Sequence, residues 1–336
     1  MVVPYTPTAF AIPVVNPSVG GGGANPLPYL SVSQYQFATT AMDTTTLIPG
    51  GPGQAQTQAL ADTIRRASRW ADRMCFGADP AAKGASLAAS LSVEACYTSI
   101  KAGELRLVCD YRPIVEVLGI DVGADPSQVA SIGPQAAATV RIGRRVVTVP
   151  YGVGFVAGRP GDTSLLYPNR WAGKLYAVWS YVNGYPHTKL ALDVAAAATS
   201  CVVEATNGAG GLWGVFPGTE LTVYDGDLTE TVSVQSVLPG TPTATLTTTA
   251  FANAHVAPAS PDFLPVTAVP ADIQQAVISL TTMLIKTRGA RAMVMPQVPG
   301  AQPRRQDLAQ AGAMEDWEIA QLLLTPYMVR VKGKGS

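Results

Sequence analysis

From Leu175 to Thr249 the chain is written in short Val-, Thr- and aromatic-rich runs with no helical stretch between them. Residues 201–204, 220–224, 229–237 and 244–249 are separated by turns such as Phe216-Pro217-Gly218 and Tyr224-Asp225-Gly226-Asp227. Strands this short and this close leave no room for crossover helices, so they must pair antiparallel in a small sandwich or barrel. Residues 175–182 form a further strand that runs into Asn183-Gly184, the pair best suited to the positive φ angles of a type I′ turn, which predicts a hairpin there. Residues 151–269 hold eight acids against four bases, and we read them as an inserted all-β domain.

Either side of this block the period changes. Leu60, Ile64, Ala67, Trp70, Ala71 and Met74 recur at helical spacing, with Arg65, Arg66, Arg69 and Arg73 mostly on other faces and Gly77 as a stop, which predicts a helix over 55–76. Leu105, Leu107 and Cys109, then residues 114–122 and 141–149, alternate in the manner of strands. Pro270 opens a second helix at a position where a missing N–H costs nothing, with Ile273, Ala276, Val277, Leu280 and Leu284 as its stripe; it is expected to pack on the first. A third helix over 305–324 carries Leu308, Met314, Trp317, Ala320, Leu323 and Leu324 and stops at Pro326. The tail from Tyr327 to Lys332 alternates like a strand that has no partner in its own chain.

Residues 1–61 carry one charge, Asp43, with six prolines before Tyr29 and the run Gly20 to Gly23, so a helix is excluded over most of their length. Two readings remain, a disordered leader or an extended arm lying on a partner. The apolar anchors Tyr5, Phe10, Ile12, Tyr29 and Phe37 favour the arm.

Composition removes several function classes. Lys plus Arg number 23, Asp plus Glu number 23, and no basic block occurs, so a sequence-reading nucleic-acid protein is not expected. Cys75, Cys96, Cys109 and Cys201 have neither zinc-ligand spacing nor a disulfide framework, and are expected as free thiols in a reducing compartment. The start lacks a signal-peptide pattern, and no apolar run of about 18 residues occurs, so a soluble chain made in the cytoplasm is expected. No nucleotide-binding motif is present, and no cofactor is expected. His187 and His255 are the only histidines. A hydrolase would need one of them, with Asp225 or Glu230, but both are expected as exposed β-domain residues; Asp225, Asp227 and Glu230 read first as a polar turn rather than a calcium loop.

Residues 60–76 (Leu-Ala-Asp-Thr-Ile-Arg-Arg-Ala-Ser-Arg-Trp-Ala-Asp-Arg-Met-Cys-Phe), followed by Gly103-Glu-Leu-Arg-Leu-Val and Arg112-Pro-Ile-Val-Glu-Val, resemble the opening of head-to-tail adaptor (connector) proteins of long-tailed bacteriophages. Trp179-Ser-Tyr-Val-Asn-Gly, Pro217-Gly-Thr-Glu-Leu-Thr-Val-Tyr-Asp-Gly, and residues 264–289 with Ile273-Gln-Gln-Ala and Leu284-Ile-Lys-Thr-Arg-Gly are similar to the longer adaptors of actinobacterial phages. These short motifs are scattered over residues 55–290, and the arm departs from the family's compact start. Taken with the residue patterns above, the expected fold is α+β: an α-helical connector core with short strands (55–150 and 270–325), the inserted β domain (151–269), an extended N-terminal arm (1–54) and a C-terminal tail (326–336).

The function it implies is that of a structural virion protein without enzymatic activity. Such a protein forms a dodecameric ring in the neck, assembled in the host cytoplasm, with portal protein on one side, a tail-side neck protein on the other and DNA passing through the bore. Neither membrane nor cofactor takes part. On this reading Trp317, Leu323, Leu324, Tyr327, Val329 and Val331 meet the portal or another partner, although Trp317 and the leucines equally suit the subunit's own core. Arg65, Arg69, Arg288 and Arg291 face a neighbouring subunit or the channel, unless they form a solvated face. A competing reading makes the β domain a virion module that binds a host glycan or the capsid surface through Trp179, Tyr181, Trp213 and Tyr224, unless those rings are buried.

Overall fold

The computed structural model describes residues 27–38, 40, 42–77, 86–101, 104–123, 125–127, 129–131, 141–142, 146–150, 174–206, 210–287 and 313–328. Helix and strand are mixed, as an α+β chain requires. The chain divides into two compact units, one holding Ser90–Gly184 and the other assembled from the flanking segments Pro17–Ala89 and Tyr185–Ser336.

In the first unit, β1 (Ser90–Lys101), β2 (Glu104–Val108), β3 (Ile114–Gly123), β4 (Ala130–Ser131), β5 (Arg141–Ile142), β6 (Val146–Pro150) and β7 (Lys174–Asn183) make one sheet, in the order β4-β3-β7-β1-β2-β6-β5. Every pairing is antiparallel. Alternation does the sorting: Leu105, Leu107, Val147, Val149, Leu175, Ala177, Trp179 and Tyr181 are buried, while Arg106 and Val108 are exposed. The register sets Ser92, Glu94 and Cys96 of β1 opposite Tyr181, Trp179 and Ala177 of β7, so polar side chains share the face of the buried rings.

Two expectations fail here. The cut between core and insert at 150/151 does not hold, because β7, assigned to the insert, lies between β1 and β3. Acid and base counts cannot report which distant strands pair. Nor do Asn183 and Gly184 make a hairpin turn: Gly184, at φ +97°, ends the first unit, and its N–H donates to the Pro113 carbonyl at 3.0 Å. Asn183 is buried, and its Oδ1 accepts from Ser92 Oγ at 2.6 Å. The freedom to take positive φ lets the chain leave the sheet instead of folding back.

The second unit contains α1 (Val32–Phe37), α2 (Gly53–Phe76), α3 (Ala271–Lys286) and α4 (Met314–Leu324). No side chain caps α2 at Pro52; instead Gln56 reaches back, accepting the Ile48 N–H and donating to the Ile48 carbonyl, each at 2.6 Å. Gly77, at φ +91°, closes the other end. The buried stripe of α2 (Leu60, Ile64, Ala67, Trp70, Ala71) packs with Ile273, Ala276, Val277, Leu280 and Met283 of α3 in one core. The α4 stripe completes it, with the Trp70 and Trp317 rings 5.4 Å apart and Lys286 paired to Asp316 at 2.7 Å.

The same unit carries β8 (His187–Lys189), β9 (Ser200–Glu204), β10 (Glu220–Val223), β11 (Glu230–Leu238), β12 (Thr243–Thr248) and β13 (Pro265–Thr267), ordered β8-β13-β10-β11-β12-β9. Leu190 bridges to Val203 and the Ala191 N–H donates to the Val202 carbonyl, so the two edges of the sheet meet and a small barrel closes. Its interior is apolar, with Val203, Leu221, Val223, Val232, Val234, Leu246 and Val266.

The described part of the expected arm is not extended over a partner. Ser31 and Gln34 form a capping box that starts α1, and Tyr29, Leu30, Val32 and Tyr35 are buried in the helical core. The Val32 N–H donates to Asp262 at 2.8 Å, and Tyr35 Oη meets Thr282 Oγ1 at 2.9 Å. Scarcity of charge, read as a mark of an arm, here marks burial. Residues 1–26 lie outside the described residues.

Candidate interaction surface

The anchors assigned to a partner belong largely to the subunit itself. Trp317 and Leu324 are buried in the helical core and Leu323 is half-buried against it, because positions 317, 320 and 324 form the stripe facing α2 and α3. The opposite face of α4 carries Ile319 and Leu322, with Leu322 74% exposed. Tyr327 does not begin a strand. It ends a 3₁₀ turn, Thr325–Tyr327, entered through Pro326, and its ring lies edge-on to Tyr185 at 6.3 Å. Alternation over so short a tail did not reveal that its first residue finishes a helical turn. Val329, Val331, Arg288 and Arg291 lie outside the described residues, as does Leu308. Arg65 pairs with Asp62 at 2.7 Å, and Arg69 is exposed on α2.

Both histidines, expected on the surface, are buried. His187 opens β8; its Nε2 meets the Pro28 carbonyl and its Nδ1 meets Thr267 Oγ1, each at 2.9 Å. Burial pushes this imidazole down to about 4, so the ring is neutral, and since a carbonyl only accepts, Nε2 carries the proton. Beside it, Tyr29 Oη donates to Asp72 at 2.6 Å and the Leu87 N–H donates to the same carboxylate at 3.0 Å. Burial pushes Asp72 up to about 7, against the lowering pull of those two donors and Arg69.

His255 has no exposed side-chain surface. Its Nδ1 lies 3.0 Å from Asp225 and its Nε2 2.8 Å from Glu230. Glu230 also accepts the Ala252 N–H at 2.7 Å and the Asn253 N–H at 2.9 Å. Burial raises the Glu230 carboxyl, but these donors and His255 outweigh it and hold it below its ordinary value. Asp225 and Glu230, considered for calcium, thus clamp a histidine. No group of three or more His, Cys, Asp or Glu suited to a metal occurs among the described residues. Each histidine has both ring nitrogens engaged by protein atoms, so neither presents an open nitrogen to an external substrate.

The clamp shapes one end of the barrel. The strands alternate in direction, so the loops β8–β9, β10–β11 and β12–β13 emerge together, and His255 ties all three. His255 exchanges both backbone hydrogen bonds with Val194 on the first loop and holds Asp225 of the second; Asp193 also accepts the Ala257 N–H at 2.8 Å. Each loop turns an apolar side chain outward, Leu192, Leu228 and Val256, with Phe37 of α1 lying over Gly226 beside them. Outward carboxylates, Asp193 and Asp227, stand among them. This surface escaped the sequence because its residues lie apart along the chain.

The rings proposed for glycan binding are placed otherwise: Trp179 and Tyr181 are buried, and Trp213 and Tyr224 are half-buried. Among the described residues no helix is long and apolar enough to cross a membrane. No protein-family model, curated protein or solved structure matches the chain.

Proposed function

We propose that this chain is a structural subunit of a bacteriophage neck, a head-to-tail adaptor whose ring joins portal to tail and lets DNA pass. The observation that carries this reading is the barrel end, where loops from three strand connections are tied around the buried His255, held by Asp225 and Glu230, and turn Leu192, Leu228 and Val256 outward. An exposed apolar patch on loops tied to one another suits contact with another protein. The low charge of the chain suits a conduit that must not hold DNA, and residues 55–290, which carry the resemblance, run in the order helix, sheet, barrel and helix. On this reading Ile319 and Leu322, the outward residues of α4, take the portal-facing part first given to Trp317 and Leu324.

The test is to mix the purified chain with portal protein of its phage and measure mass by light scattering. Stable multi-subunit rings on the portal are expected, and Leu322→Glu should weaken them while leaving the fold intact. A chain that stays monomeric and indifferent to portal sinks the adaptor reading.

A further inference from the structure

We infer that the apolar, acidic end of the barrel is the seat for the arginine-bearing face of α2 in a second copy of the chain. This rests on the ring-subunit reading and names the contact that builds the ring. Two surfaces of the second unit complement each other. Helix α2 is buried around most of its circumference and leaves a narrow stripe, Gln54, Gln58, Asp62, Arg66, Arg69 and Arg73, repeating every three or four residues. With Arg65 beside it, the later half of the stripe carries four guanidinium groups, while its acid, Asp62, is already bound to Arg65 at 2.7 Å. The barrel end has the opposite composition: loop residues 190–199, 224–229 and 249–264 contain neither Lys nor Arg, and Asp193 and Asp227 are exposed among Leu192, Leu228, Val256 and Phe37.

Arginine suits such a seat better than lysine. Its aliphatic stem packs on Leu and Val, and its flat, weakly hydrated fork pairs with carboxylates at the rim. The second copy is favoured as occupant because the complementary charge is on the same chain. The two surfaces differ, so the contact is head-to-tail, and each added copy presents a fresh seat until the rotation closes a ring.

Charge reversal and mixing test this on the full chain. One variant carries Arg69→Glu and Arg73→Glu, the other Asp193→Lys and Asp227→Lys; all four positions are exposed. Sedimentation velocity at low salt should show self-association of the wild type that weakens as salt rises. Each variant alone should associate about tenfold or more weakly, and the two mixed should recover it, since reversed stripe then meets reversed seat. The neutral pair Arg69→Gln and Arg73→Gln, which keeps helix propensity, should show an intermediate loss and guards against misfolding of the reversed stripe. Wild type that stays monomeric at low salt, variants that associate like wild type, or a mixture that gains nothing would overturn the contact. Portal binding measured in parallel separates the readings: if it persists while the contact fails, only this inference falls.

Discussion

The two sheets of this protein solve the same packing problem in opposite ways. The barrel fills its interior largely with Val, Leu and Ala, and holds the buried His255 between Asp225 and Glu230 at one end. The seven-stranded sheet admits polar groups to the face of its buried rings: Glu94 accepts from Tyr181 Oη and from the Asp110 N–H, and Ser92 holds Asn183. Beside them burial pushes the Cys109 thiol up to about 12. Closure accounts for the barrel: where its edges meet, Leu190 pairs with Val203 and the Thr188 hydroxyl donates to the Glu204 carbonyl, so no open edge is left there. The open sheet leaves the turn at Asp110 and Tyr111 to be held, and Glu94 and Tyr181 hold it. Deletions should therefore cost the barrel a cavity and the sheet its hydrogen bonds.

The largest expected effect lies in the barrel. Leu246→Ala, at a fully buried position, should destabilise it by about 2–5 kcal/mol, read as lost hydrogen-exchange protection in β9, β11 and β12. A cost below about 1 kcal/mol would mean the interior is loosely packed and the comparison misdrawn.

Next comes Glu94→Ala, which strands the Tyr181 hydroxyl and the Asp110 N–H and should cost about 1–3 kcal/mol. Glu94→Gln keeps an acceptor oxygen and should cost less; equal losses would show that charge rather than hydrogen bonding matters there. Denaturant titration followed by exchange in β1 and β7 resolves the pair.

The polar junction at the entry to the barrel adds a pH test with opposed signs. His187 binds its proton less tightly folded (about 4) than at its ordinary 6.5, so its contribution to stability is present above 6.5 and lost as pH falls toward 4. Asp72 binds its proton more tightly folded (about 7, against an ordinary 3.8), so its contribution is present at low pH and lost as pH rises from about 4 to 7. Between about 4 and 6.5 the two slopes, about 1.4 kcal/mol per pH unit each, should largely cancel. Asp72→Asn should leave stability rising with pH across that window, and His187→Gln should leave it falling. Parallel profiles for the two variants would refute the assignment.

The smallest effect is expected at Leu322, where truncation to Ala should change stability by no more than about 0.5 kcal/mol, against about 2–5 for buried Leu324→Ala in the same helix. Thermal melts of the two variants decide whether α4 has one buried face or two.

Local chemistry was legible wherever neighbours along the chain decide the outcome. Pro270, Pro52 and Gly77 mark helix ends by backbone constraint alone, the stripe from Leu60 to Ala71 announces α2, and β10 to β12 fall within a residue of their expected bounds, with a bulge between Val234 and Ser236 interrupting the alternation of β11. The longest of the described strands, β1, went unread, its inward positions being polar, with Ser92 and Glu94 on the face of the buried Tyr181 and Trp179 rings. His187 and His255 were misplaced because their partners Pro28, Asp225 and Glu230 stand 159, 30 and 25 positions away.

By itself, then, the sequence determined the ends of α2, the start of α3 and the stop of α4, that strands without room for crossovers must be antiparallel, and that a charge-poor chain has much to bury; the start of α4 at Met314 rather than 305, and the existence of α1, it did not. Tertiary structure alone decided that β7 belongs with β1 and β3, that Trp317 faces Trp70, and that three distant loops make one surface. Propensity and turn geometry act over a few residues, whereas strand partners, ion pairs and surface patches are settled by contacts between residues far apart in the chain.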